Sequence, residues 1–243
     1  MRLVSLLGLG SFALVSLWVG GRLLALAART RQAPETALGT ALFFGAGLGY
    51  ALAVGARQLE VLPHEWVGAI RLAGIAFIHV GSAALAFGAW RIFRPAERWA
   101  KRACLVIVAG LAATLALRTL DPPTATQPVS SPLHFWPTML LGAAAYGWCA
   151  FESARYAAAL RRRARFGLAS PALARRFALW AAAGAGAVGI HLCNMVNRFI
   201  DPVTVDPAIL MLTSALGLGA AVTLWLAFFP PAWWPARTVP SGS

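Results

Sequence analysis

Residues 64–90 read HEWVGAIRLAGIAFIHVGSAALAFGAW, with Glu65 and Arg71 as their only formal charges. About 20 apolar residues in helical form cross the hydrocarbon core of a bilayer, so this 27-residue stretch is long enough to span one. Runs of the same kind lie on either side of it, and spans are expected at about 3–27, 36–56, 64–90, 103–119, 132–158, 176–199 and 208–229. They take up most of the 243 residues. The expected fold is therefore an all-α, seven-transmembrane-helix bundle, a single domain over 1–243 with 230–243 as a short cytoplasmic tail. Composition agrees: 59% of residues are hydrophobic and only 12% charged, with a mean hydropathy of +0.69. Soluble domains carry about 25% charged residues, so an ordinary soluble domain is excluded.

Proline marks the boundaries. It suits the first helical turn, where its missing N–H would be unpaired in any case. Pro34, Pro63, Pro95, Pro132, Pro171 and Pro207 each precede or open one of spans two to seven, and Pro230 and Pro231 stop the last. Ser131, Ser170 and Asp206 stand where N-caps belong. No helix breaker occurs in 138–166, so the fifth helix is expected to run past the membrane to a stop at Gly167. Arg2, an apolar run and Ala25-Leu26-Ala27 mimic a signal peptide. The run is long for one, and an uncleaved first helix is expected.

The chain has 21 basic and 8 acidic residues, a net charge of +13. Its cations lie between apolar spans, which favours an anionic membrane face over nucleic acid as their partner. Fifteen of them fall on one side: Arg22, Arg29 and Arg31; the cluster from Arg91 to Arg102; and the run from Arg155 to Arg176. The opposite side holds Arg57, Arg118 and Arg198. Cytoplasmic loops carry the Lys/Arg excess, so the N-terminus is expected outside and the C-terminus inside. Arg161, Arg162, Arg163 and Arg165 would form a cationic collar at the inner face, able to meet anionic lipid or dock a separate acidic cytoplasmic signalling partner. Lys101 is the only lysine and falls in an expected loop, which excludes a retinal pigment with a Schiff base in the last helix. Cys104, Cys149 and Cys193 lie in apolar stretches without metal-like spacing and read as small buried side chains.

Ionisable residues within a bilayer are costly and tend to face the bundle interior. At about 100° per residue, Arg71 and His79 share one face of the third span, and His191, Asn194 and Arg198 share one face of the sixth. With Thr138, Thr213, Ser214 and Tyr50 they lie mostly in the expected outer half, whereas the inner half is Ala, Leu, Val and Phe apart from Glu152. An outward-facing pocket around Arg71, His79, His191, Asn194 and Arg198 is expected, rich in positive charge and suited to a small anionic or strongly polar ligand. His79 and His191 differ in depth by roughly 10 Å at about 1.5 Å per residue, which disfavours a shared haem. His64 and His134 lie at similar outer depth and are metal candidates with Glu60, Glu65 or Asp121. No cofactor is predicted.

Arg-x-Leu/Ile-acid occurs three times at expected outer helix ends, at 57–60, 118–121 and 198–201. It reads as interface capping or a ring of ion pairs. Residues 184–189 match G-x-G-x-x-G but lie mid-span with no preceding strand, so close helix packing explains them better than a dinucleotide site. No Ser/His/Asp set or HExxH motif appears, and no catalytic residue is expected.

The stretch RRRARFGLASPALARRFALW at 161–180, with WRIFRP at 90–95, resembles segments of uncharacterised bacterial seven-helix membrane proteins. These in turn are similar to the membrane input modules of bacterial sensors. The resemblance implies a multi-pass protein of the bacterial inner membrane with sensor or receptor-like function. A dozen residues follow Pro231, so signalling would need a separate partner. A small-solute transporter, a haem- or metal-binding redox subunit and an assembly subunit are the alternatives.

Overall fold

The computed structural model describes the backbone of residues 2–58, 64–120, 131–200 and 206–231, with side chains from residue 10 onward except at 54, 56–58, 64 and 65. The described residues form seven helical rods and no strand. α1 is Arg2–Thr30. α2 consists of three consecutive segments, Ala33–Thr40, Ala41–Gly49 and Tyr50–Gln58. α3 is His64–Gly88, continued by Ala89–Phe93. The others are α4 (Arg98–Leu120), α5 (Pro132–Ala164), α6 (Pro171–Ile200) and α7 (Pro207–Phe228). Six of the seven, all but α5, are long and apolar enough to cross a membrane. α5 is diluted by His134, Tyr146, Glu152 and Arg155 along its 33 residues.

The caps form as the sequence indicates at α5 and α7. Ser131 Oγ accepts from Leu133 N, and Asp206 Oδ1 accepts from Ala208 N and Ile209 N at 2.8 and 3.2 Å. Beyond Ala164, Leu168 N–H donates to the Arg163 carbonyl at 3.0 Å, and Gly167 takes the left-handed φ of +72° that ends such helices. Several helices outrun their expected spans. α4 begins at Arg98 rather than 103, so Lys101 lies exposed in a first helical turn and not in a loop. α4 does not pack on the last helix among the described residues. α5 reaches Ala164 and α6 starts at Pro171. Apolarity marks the part of a helix that meets lipid or core, and charged residues with good helix propensity carry the coil beyond it. The tail beyond residue 231 lies outside the described residues.

α1 packs on α2 and α7, α2 on α3, α3 on α5, α5 on α6, and α6 on α7, which closes a ring of six helices. α4 stands outside the ring against α3 and α5. One buried cluster joins Phe12, Val19 and Leu23 of α1 to Leu42, Ala46, Ala220 and Leu224 of α2 and α7. A second joins Ala86 of α3, Cys104, Ile107 and Leu111 of α4, and Ala145 of α5. The middle of α2 is wound as a π-helix through ALFFGAGLG. Such windings are rare and wide, and its glycines let neighbours come close. A Cβ placed on Gly45 would lie 3.0 Å from the Gly81 Cα, and one on Gly81 would lie 2.5 Å from the Gly45 Cα. Close approach through small residues is a common way for membrane helices to associate.

At the basic end Glu152 is buried, and the Arg94 Nε–H donates to its Oε1 at 2.8 Å. Arg155, the partner suggested by its place one turn on, sits 3.9 Å from Oε2. The main counter-charge therefore comes from the end of α3, not from Glu152's own helix.

Candidate functional site

The second apolar cluster has a polar cap. On α4, Thr114 and Arg118 continue the face that carries Ile107 and Leu111. On α5, His134 and Thr138 lie within about 20° of the Ala145 direction at about 100° per residue. On α3, His79 lies two turns before Ala86. All five capping residues are buried, at 4% exposure for His79, Thr114, Arg118 and His134 and 6% for Thr138. Each helix face is thus apolar toward the basic end and polar toward the other.

The His79 geometry sets its tautomer. Its Nδ1 is 2.7 Å from the Ile75 carbonyl, which can only accept, so Nδ1 carries the proton in the neutral ring. Nε2 then accepts, and Thr114 Oγ1 lies 3.1 Å away across the α3–α4 seam. The same hydroxyl is 2.9 Å from the Leu111 carbonyl, so one proton serves two acceptors. One turn further, Arg118 Nη2 donates to the His134 carbonyl at 3.5 Å and ties α4 to α5. The Thr138 hydroxyl is buried and meets no hydrogen-bond partner among the described residues. Arg71 is buried at 7% exposure. It lies within about 60° of Ser82, Ala86 and Ala89 on the interior stripe of α3, at about 100° per residue.

The sixth-span residues stand elsewhere. His191 Nδ1 donates to the Ala187 carbonyl at 2.8 Å. Its ring lies 5.4 Å from Tyr146 and rests on Gly142 of α5, where an added Cβ would come 2.5 Å from Nε2. The Arg198 guanidinium lies over Phe135 of α5 at 5.5 Å. Asn194 corrects the expectation: it is exposed, and its amide donates to the Ile190 carbonyl of its own helix at 2.9 Å. Asn197 Oδ1 accepts from Asp206 N at 2.8 Å and so clips α6 to the start of α7.

Arg71 and His79 on α3 are therefore not brought against His191, Asn194 and Arg198 on α6. α3 and α6 meet at the basic end, where the Phe93 and Phe177 rings lie 6.0 Å apart, but their backbones do not approach each other among the described residues, and α5 stands between the two polar groups. Equal polarity on two helix faces says nothing about which neighbour each face meets. Thr114 meets His79 instead, with Arg118 one turn further along α4. Arg118 reads in the sequence as an end cap and Thr114 as a lone hydroxyl in an apolar run. Their i, i+4 spacing on the Leu111 face was the available signal.

Among the described residues no group of three His, Cys, Asp or Glu side chains could hold a metal ion. The metal candidates cannot be placed together: the His64 and Glu65 side chains, Glu60 and Asp121 lie outside the described residues, as do all three acids of the Arg-x-Leu/Ile-acid motif. Arg161, Arg162, Arg163 and Arg165 are exposed around the end of α5. The three cysteines are free thiols.

Fold and site together describe an all-helical protein with six helices fit to cross a membrane and a buried cluster of guanidinium, imidazole and hydroxyl groups toward one end. This architecture is compatible with a polytopic helical membrane protein. Comparison with protein-family models, with curated proteins and with solved structures finds no match.

Proposed function

We propose that this chain is a seven-span protein of a bacterial inner membrane, N-terminus outside, that binds a small anionic or strongly polar ligand in its outer half as a sensor or receptor does. The observation that carries the reading is the burial of Arg71, His79, Arg118 and His134 at the end opposite the basic loops. Guanidinium groups only donate, and a buried set dominated by donors suits carboxylate or phosphate oxygens. α5 counts as the seventh span because it packs along α3, α4 and α6, so that His134, Thr138, Glu152 and Ser153 are buried. The exposed arginine collar at the end of α5 supplies a surface for anionic lipid or an acidic cytoplasmic partner.

Two experiments test this. The full chain in detergent is screened by thermal unfolding against inorganic phosphate, sulfate, acetate and succinate. At least one is expected to stabilise it, by about 2.7 kcal/mol at a hundredfold excess over Kd. Arg71→Gln and Arg118→Gln are each expected to lose that response. If none of these anions stabilises the wild type, or both variants keep the full response, the site is wrong. For orientation, an externally active phosphatase fused after Leu120 is expected to be active and one fused after Arg165 inactive. The reverse pattern refutes the topology.

A further inference from the structure

A second feature lies at the basic end. There α1, α2, α6 and α7 line a half-open cavity of about 330 Å³, within the roughly 300–1,000 Å³ typical of small-ligand sites. Apolar side chains, chiefly leucine and phenylalanine, form most of its wall, and Arg22, Glu35, Arg176 and Trp180 supply its polar lining.

These polar groups are held apart. The Arg22 guanidinium is lodged 5.2 Å from the Trp18 ring centroid and 5.0 Å from that of Phe229. Arg176 donates through Nε to the Ala227 carbonyl at 3.0 Å and lies over Phe228 at 5.8 Å. That leaves its terminal nitrogens without a protein partner among the described residues. Glu35 stands in the first turn of α2, and its Oε2 is buried without a hydrogen-bond partner. No ion pair joins Glu35 to either arginine among the described residues. The Trp180 Nε1–H is also buried without an acceptor. Leaving buried polar groups unmatched is costly, and opposite charges would ordinarily close on each other if the backbone allowed it. Here α2 and α6, which carry Glu35 and Arg176, do not pack together among the described residues.

A ligand bearing both signs would satisfy this arrangement. We propose that the cavity binds a zwitterion whose anionic group lies at Arg22 and Arg176 and whose protonated primary amine lies at Glu35, with an apolar portion along the Phe228 and Phe229 wall. This is the chemistry of phosphoethanolamine, carried either by a free solute or by the headgroup of an aminophospholipid. The site lies at the other end of the helices from the buried His79–Arg118 cluster and does not depend on what that cluster does.

The test is native mass spectrometry of the full chain, purified in detergent and titrated separately with phosphatidylethanolamine, phosphatidylglycerol and O-phosphoethanolamine. An ethanolamine-bearing probe is expected to bind tighter than phosphatidylglycerol by roughly tenfold or more, the effect of one charge-assisted hydrogen bond. Tight binding of phosphatidylethanolamine alone assigns the site to lipid, and equal or better binding of O-phosphoethanolamine assigns it to a solute. Glu35→Gln, which keeps the side-chain shape, is expected to abolish the preference. Arg22→Ala is expected to weaken both headgroups. Read as a ratio between ligands, the preference is insensitive to the folded yield of each variant. Equal binding of phosphatidylethanolamine, O-phosphoethanolamine and phosphatidylglycerol by the wild type overturns the proposal. So does a preference that survives Glu35→Gln.

Discussion

Arg94→Ala is expected to lower the unfolding free energy by about 3 kcal/mol, because it strips a buried carboxylate of its main counter-charge. The Glu152 side chain is 6% exposed and held by Arg94 at 2.8 Å, whereas Arg155 stands 3.9 Å away with a half-exposed side chain. Removing one member of a buried pair costs more than the pair contributes, since the remaining charge stays buried and loses its main donor. Arg155 can swing partly into the vacated position, which keeps the effect at the lower end of the usual 3–5 kcal/mol. The double variant Arg94→Ala/Glu152→Gln is expected to recover most of the loss. Denaturant unfolding of the detergent-solubilised protein measures both. A single-variant loss below about 1 kcal/mol would put the pair among ordinary surface salt bridges and refute the account. A double variant no better than the single would do the same.

The second large effect concerns the seam between α2 and α3. Gly81→Val is expected to destabilise by more than the usual 1–3 kcal/mol of an overpacked site. Even its first carbon would stand 2.5 Å from the Gly45 Cα, and that neighbour is backbone, which has no rotamer to escape into. The helices would have to separate along their glycine-lined contact and lose the packing that holds α3 in the ring. Gly219→Ala is the control: nothing lies within 4 Å of a Cβ placed there, and the change is expected to fall within about 0.5 kcal/mol of wild type. Comparable melting temperatures for the two variants would show that the seam is not a close contact.

Much of the fold was legible because membrane helices announce themselves by length and apolarity. The prolines at 132, 171 and 207 open helices, Asp206 caps one, and Gly167 ends one. Helix ends beyond the apolar runs were less legible. At Arg98 the coil starts within charged residues that hydropathy alone assigns to a loop, whereas the run of α5 to Ala164 was readable from the absence of a breaker before Gly167. The candidate site was legible only as polar faces. Arg71, His79 and His134 are buried, as intramembrane polar groups are expected to be, yet Asn194 on an equally polar face is exposed and satisfied by its own helix.

The amino-acid sequence by itself determined that this chain is helical throughout its apolar runs and that its cations gather at one end. Both follow from local properties: the length of an apolar stretch, the φ of proline and the position of charge along the chain. Only the tertiary structure decided which face meets which neighbour. It placed Thr114 against His79, Arg94 rather than Arg155 on Glu152, and α5 between the two polar groups expected to form one pocket. It also set Arg22, Arg176 and Glu35 around a common cavity without letting them touch. Such pairings depend on how the rods are ordered around the ring and rotated about their axes, which is settled by packing between residues far apart in the chain.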